Sequence, residues 1–147
     1  MPRWVLDTSL YIRASHDREA RGALDAFHDR SFAQTDLAAT VWLELQVGVR
    51  ERSVQTEFDE WVDTFFERDA VLTPSALAFQ QAGRVLGSLA DVEGLDLDRI
   101  RPSFHHDVLL ACTVREHGRT LITDNAGDFT RIQRYLRGFR FIAPFPH

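Results

Sequence analysis

Trp4-Val5-Leu6-Asp7-Thr8-Ser9 is the stretch on which the fold turns. Three apolar residues end on a carboxylate, and two hydroxyl residues then stand where a helix beginning Leu10-Tyr11-Ile12 can be capped. The reading is a strand, a turn bearing Asp7, and a helix. Thr120-Leu121-Ile122-Thr123-Asp124-Asn125 repeats the arrangement near the other end of the chain. Two strands that each deliver a carboxylate at their carboxyl end predict an open parallel α/β sheet with a crevice at that edge.

Outward from these two turns, apolar spacing predicts one long helix from Leu10 to Phe27 and a brief second strand at Ser31 to Thr35. Next come a helix from Leu37 to Val49 with Asp36 as its N-cap, and an amphipathic helix from Thr56 to Arg68. A short strand is read at Ala70 to Leu72 and a helix opened by Pro74 over Ser75 to Val92. Glu93 to Phe104 reads as loop, Asp107 as the opening of a helix that ends at Glu116, and Thr120 to Thr123 as a strand. Phe129 to Leu136 is a helix and Phe139 to Ile142 a last strand. Strands alternating with helices, without repeats, predict an α/β chain around a mostly parallel sheet.

The 147 residues, 44% hydrophobic and 11% aromatic, fit one domain spanning residues 1–147 with a core of its own. A formal charge of -5 argues against a broadly basic nucleic-acid glove, although acids gathered in one pocket can dominate such a sum. Cys112, the single cysteine, sits in an apolar run and reads as a buried small hydrophobe in a reducing, cytoplasmic compartment. No signal peptide or membrane span is legible. All 17 basic residues are Arg. Without Lys, neither a Walker-type phosphate loop nor a Schiff-base enzyme can be built.

Asp7, Glu44 and Asp107 are the candidate acids of a metal cage. A hard cation such as Mg2+ or Mn2+ takes oxygen ligands, and in phosphodiester hydrolysis it activates water and stabilises the leaving oxygen. Each acid has a plainer reading. Asp7 and Asp107 could simply cap the helices they precede. Glu44, inside an apolar helix, has Thr40 and Gly48 as its i-4 and i+4 neighbours, a small-residue stripe that can face a crevice. A buried carboxylate without a partner costs several kcal/mol or takes a proton, so Glu44 and Asp107 call for a partner. The turn Thr123-Asp124-Asn125-x-x-Asp128-Phe129 adds further acids.

The ordered set Val5-Leu6-Asp7-Thr8-Ser9, Glu44-Leu45-x-x-Gly48, His106-Asp107-Val108-Leu109-Leu110-Ala111 and Leu121-Ile122-Thr123-Asp124-Asn125-x-x-Asp128-Phe129 resembles the PIN-domain nucleases, and among them the VapC-type toxins of toxin–antitoxin modules. The resemblance covers nearly the whole chain. It implies a PIN-like three-layer α/β/α sandwich and a Mg2+- or Mn2+-dependent endoribonuclease with Asp7, Glu44 and Asp107 as principal acids. Thr8, Ser9 and Thr123 would be supporting hydroxyls. A homodimer, an RNA substrate and a cognate antitoxin are also implied. Asp128 is the favoured fourth acid, Asn125 a polar residue beside the ligands, and Asp124 an exposed runner-up.

Other groups fare less well. His105 and His106 are adjacent, a poor spacing for one zinc ion. Arg131, Arg134 and Arg137, three apart on a helix, could follow an RNA backbone or form a solvated basic face. Trp61, Phe65 and Phe66 read as core or dimer contacts before stacking platforms. Competing functions are an RNA-processing or DNA-cleaving nuclease of the same type and a PIN fold that only binds nucleic acid. A phosphoryl-accepting receiver module is disfavoured by the absence of Lys.

Overall fold

The computed structural model describes residues 2–145. Its sheet has five strands, β1 (Trp4–Leu6), β2 (Thr35–Ala38), β3 (Val71–Leu72), β4 (Thr120–Ile122) and β5 (Phe141–Ile142), in the order β3-β2-β1-β4-β5. Every pairing is parallel, so the sheet is wholly and not mostly so. Helices cover it as in a PIN-like α/β/α sandwich. Val5, Leu6, Leu37, Ala38, Leu121 and Ile122 are essentially inaccessible, as expected for strands covered on both faces. From β1 the chain winds outward through β2 and β3, then returns to build β4 and β5 on the other side. The reversal lies between β1 and β4, where an open α/β sheet forms its crevice.

The helices are α1 (Thr8–His16), α2 (Arg18–Ser31), α3 (Ala39–Gly48), α4 (Arg52–Glu67), α5 (Ala76–Glu93), α6 (Pro102–Glu116) and α7 (Ala126–Gln133), with single 3-10 turns at Phe32–Gln34 and Leu97–Arg99. The predicted helix over Leu10 to Phe27 is in fact two. Asp17 breaks it in extended conformation (φ -122°, ψ 121°), and its carboxylate caps α2 by accepting from Glu19 N at 3.1 Å. The second strand lies at Thr35–Ala38, not Ser31 to Thr35, because Ser31 still belongs to α2 and a 3-10 turn follows it.

That shift corrects the reading of Asp36. It does not cap α3; it is a β2 residue, 1% exposed, with Arg3 Nη2 at 2.8 Å and Arg119 Nε at 2.5 Å. Arg3 and Arg119 immediately precede β1 and β4, so one buried carboxylate ties three neighbouring strands at their amino ends. Asp107 does not open a helix either. α6 begins at Pro102, where a missing N–H costs nothing, and Asp107 lies in its second turn. Likewise α4 starts at Arg52 and α7 at Ala126, and the last strand is confined to Phe141–Ile142. The helix after Pro74 runs over Ala76–Glu93, with Ser75 as its cap, accepting from Ala78 N at 3.2 Å.

One hydrophobic cluster runs through the layers. Trp61 packs edge-on against Tyr11 at 4.4 Å and Phe65 at 4.7 Å, in keeping with a core role, whereas Phe66 is about half exposed beside Trp42. His28 joins this group, and burial pushes its imidazole down to about 4, so it is neutral at physiological pH. Cys112 is buried and burial raises its thiol to about 11, which makes it inert. Among the described residues no helix is long and apolar enough to cross a membrane.

Candidate active site

Asp7 occupies the carboxyl end of β1, and its backbone N–H extends the sheet by donating to Ile122 O at 2.9 Å. Its carboxylate both caps α1 and faces the crevice. Oδ1 accepts from Thr8 N at 2.8 Å and Oδ2 from Thr123 Oγ1 at 2.7 Å. Thr123 is oriented in turn by Asn125 N, which donates to its hydroxyl oxygen at 3.0 Å. The strand-end turn after β4 thus fixes the acid at the end of β1. Burial raises the Asp7 carboxyl above its ordinary value, and the charge of Asp124 adds to the rise.

Glu44 comes from α3 and accepts from Thr8 Oγ1 at 3.1 Å, so Thr8 serves two acids, one with its backbone and one with its hydroxyl. The small-residue stripe does meet α1: a Cβ added at Gly48 would stand 3.1 Å from Ile12 Cδ1. Burial raises the Glu44 carboxyl, while His106, with Nδ1 4.0 Å from Oε2, lowers it. His106 therefore belongs beside Glu44. Its place next to Asp107 in sequence was the available sign, and reading it only as half of a zinc pair concealed it.

Asp107 has no hydrogen-bond donor among the described residues. Burial first, and then the charges of Asp7, Glu44 and Asp128, push its carboxyl up to about 8. Acids from β1, α3 and α6 therefore share one field. Among the described residues no three His, Cys, Asp or Glu side chains are set closely enough to hold a metal ion. The donor set nevertheless fits a hard divalent cation in its chemistry. It is all oxygen, it is crowded enough to hold a proton near neutrality, and the mutual repulsion of its charges is what a cation would offset.

The two acids of the last turn are held differently. Asp128 accepts from Asn125 Nδ2 at 3.1 Å and Arg101 Nη2 at 3.2 Å, while Asn125 caps α7. Asp128 is therefore not the cap of that helix. Asp124 is not exposed as expected: its side chain is 18% accessible, accepts from Ser9 Oγ at 2.8 Å and pairs with Arg13. Arg13 and Arg101 were missed because their partners are remote in sequence. Arg131 and Arg134 both turn toward Glu93, at 3.4 and 3.8 Å, and Tyr135 donates to the same carboxylate at 2.6 Å.

The raised Asp107 carboxyl makes a stability prediction. The folded group titrates near 8 and its ordinary value is 3.8. Between those values the unfolded chain has released a proton that the folded chain retains, so this group's contribution to stability falls as pH rises. Asp107→Asn removes that slope. In EDTA at pH 8 the variant is expected to be more stable by about 2 kcal/mol, allowing for partial solvent screening, which raises Tm by about 5 °C. Thermal unfolding monitored by circular dichroism checks it, and equal melting temperatures would count against the assignment.

No protein-family model matches the chain, and no curated protein does. Solved structures do. A VapBC complex from Salmonella typhimurium bound to DNA contains a chain 20% identical to this one, with a TM-score of 0.68 over 97% of this chain and 98% of that one. VapBC2 from Rickettsia felis, bound to a fragment of its promoter DNA, gives 19% identity and a TM-score of 0.65 over 95% and 97%. FitAcB from Neisseria gonorrhoeae gives 17% and 0.64 over 95% and 96%. Identities this low speak to fold. The structural neighbours of the chain thus include VapBC toxin–antitoxin complexes, and its own architecture is the PIN-like α/β/α sandwich.

Proposed function

We propose that the protein is a Mg2+- or Mn2+-dependent endoribonuclease and the toxin component of a type II toxin–antitoxin module. The observation that carries this reading is the convergence of Asp7, Glu44 and Asp107 at the β1–β4 reversal, with Asp107 held near 8 and given no hydrogen-bond donor. These three residues would hold the ion, which when bound supplies the Lewis acidity that phosphodiester hydrolysis needs. Thr123 and the Thr8 N–H fix both Asp7 oxygens, so the carboxylate is oriented before substrate arrives. Thr8 Oγ1 sets the rotation of Glu44. His106, beside Glu44, is placed to donate to a phosphate oxygen entering the crevice.

A cognate antitoxin is proposed as partner, supported by the VapBC neighbours. A homodimer is proposed as well. Leu43 and Val47, one turn apart on α3, and Leu77 and Phe79 on α5 are half exposed or more, which is costly unless another surface covers them. Cytoplasmic residence, where RNA is the accessible substrate, fits the single inert thiol.

Incubation of purified protein with a mixed pool of structured RNAs tests the activity. Cutting is expected with Mg2+ or Mn2+ and is expected to vanish in EDTA. Cutting that persists unchanged in EDTA would refute ion-dependent hydrolysis.

A further inference from the structure

The acids of the crevice fall into two groups. Asp7, Glu44 and Asp107 form no ion pair with an Arg among the described residues, although the Arg101 charge reaches Asp107, whereas Asp124 and Asp128 are each paired with one, Arg13 and Arg101. Neither guanidinium is buried: the Arg13 side chain is 57% exposed and that of Arg101 71%. Ion pairs this open add little to stability, so folding gives no strong reason for them. A guanidinium has five N–H donors in a planar fork that matches phosphate. Arg101 gives Asp128 one of its nitrogens, and Arg13 meets Asp124 through Nη2. More than half of each Arg side chain's surface is left to solvent.

Position matters as much as exposure. Asp124 bonds Ser9, two residues beyond Asp7, and Arg13 lies one turn further along α1. Asp128 is tied through Asn125 to the β4 turn, and Arg101 immediately precedes α6, the helix that carries Asp107. One guanidinium thus stands on the Asp7 side of the crevice and the other on the Asp107 side. Arg131 and Arg134 share the Glu93 carboxylate, where Tyr135 also donates.

We propose that Arg13 and Arg101 grip the phosphates on either side of the scissile one in a single-stranded RNA, and that Asp124 and Asp128 are positioning residues for them rather than ion ligands. The inference rests on the nuclease reading above, and it leaves the ion to Asp7, Glu44 and Asp107. The chain then places its own cations where the substrate backbone enters and leaves, and its net charge of -5 is no obstacle to binding RNA.

The test is equilibrium binding of a fluorescein-labelled, mixed-sequence single-stranded RNA to the full chain across a salt series, in EDTA and again with Ca2+. Arg13→Gln and Arg101→Gln are each expected to weaken binding about tenfold and to reduce the slope of log K against log salt by about 0.7. Arg101→Lys restores the slope. Asp128→Asn is expected to raise KM in cleavage with kcat nearly kept, and to leave Mn2+ affinity, read from free Mn2+ by electron paramagnetic resonance, within about threefold of wild type; loss of a direct ligand costs far more. Unchanged slopes in both Arg variants, or a collapse of Mn2+ affinity in Asp128→Asn, overturn the proposal even if the protein cuts RNA. Slopes that fall while no ion supports cleavage leave the phosphate grip standing and remove the nuclease reading. Wild-type protein that binds no RNA in either condition removes both.

Discussion

Asp7→Asn is expected to lower ion-dependent RNA cleavage by at least about 1,000-fold while the protein remains folded. One misplaced donor in an electrostatic site costs about 100- to 1,000-fold, and an oxygen ligand that also sets the charge of the site lies at or beyond that range. Asp7 has a hydrogen-bond donor on each oxygen, the Thr8 N–H on one and the Thr123 hydroxyl on the other. Asn keeps the shape and one carbonyl oxygen but offers an amide where the Thr123 hydroxyl donates. That hydroxyl can rotate to accept, so the turn survives while the charge does not. Burial raises the Asp7 carboxyl, so neutralising it does not penalise folding. Initial rates with the RNA pool in Mg2+, alongside a thermal melt, decide the matter; a variant with a tenth of the wild-type rate would take Asp7 out of the mechanism.

Asp36→Ala is expected to cost about 3 kcal/mol of stability. Removing one partner of a buried ion pair costs about 3 to 5 kcal/mol because the remaining charge loses its compensation. Asp36 serves two cations and is 1% exposed, but Arg3 and Arg119 keep 40% and 22% of their side-chain surface, so each can recover some hydration and the lower figure applies. For a chain of this length the melting temperature should fall by about 9 °C. Urea unfolding of the variant measures it directly. The cluster lies at the amino edge of the sheet, away from the crevice, so cleavage below the melting range should be unaffected. A loss of less than about 1 kcal/mol would mean that the pair contributes no more than a surface contact.

The two predictions also separate what the sequence made legible from what it hid. The turns at Asp7 and Thr123 could be read because strand, acid and cap lie within six residues of one another. Glu44 could be suspected because a charge inside an apolar helix demands a partner. The role of Asp36 was hidden, since its partners come from segments 33 and 83 residues away and nothing local distinguishes it from an N-cap. Asp17 was misread for the opposite reason. Apolar spacing continues through it, and the capping signal of Asp17 before Arg18-Glu19 was outweighed by a periodicity that two consecutive helices both satisfy. Pro102 announced the true start of α6, and reading the segment before Asp107 as loop discarded that sign. Arg13 and Arg101 became visible only when the fold brought them to Asp124 and Asp128.

The bond from Thr123 to Asp7 spans 116 residues of chain and closes the crevice between its first strand and its fourth. A ribosome making this protein therefore produces Asp7, Glu44 and Asp107 in turn before the contact that joins β1 to the β4 turn can form. Until β4 has left the exit tunnel, β1 has only β2 beside it and the first acid has only the Thr8 N–H, its second oxygen still lacking the Thr123 donor. Under the proposed function, a nascent chain acquires cleavage only after the β4 turn has been made.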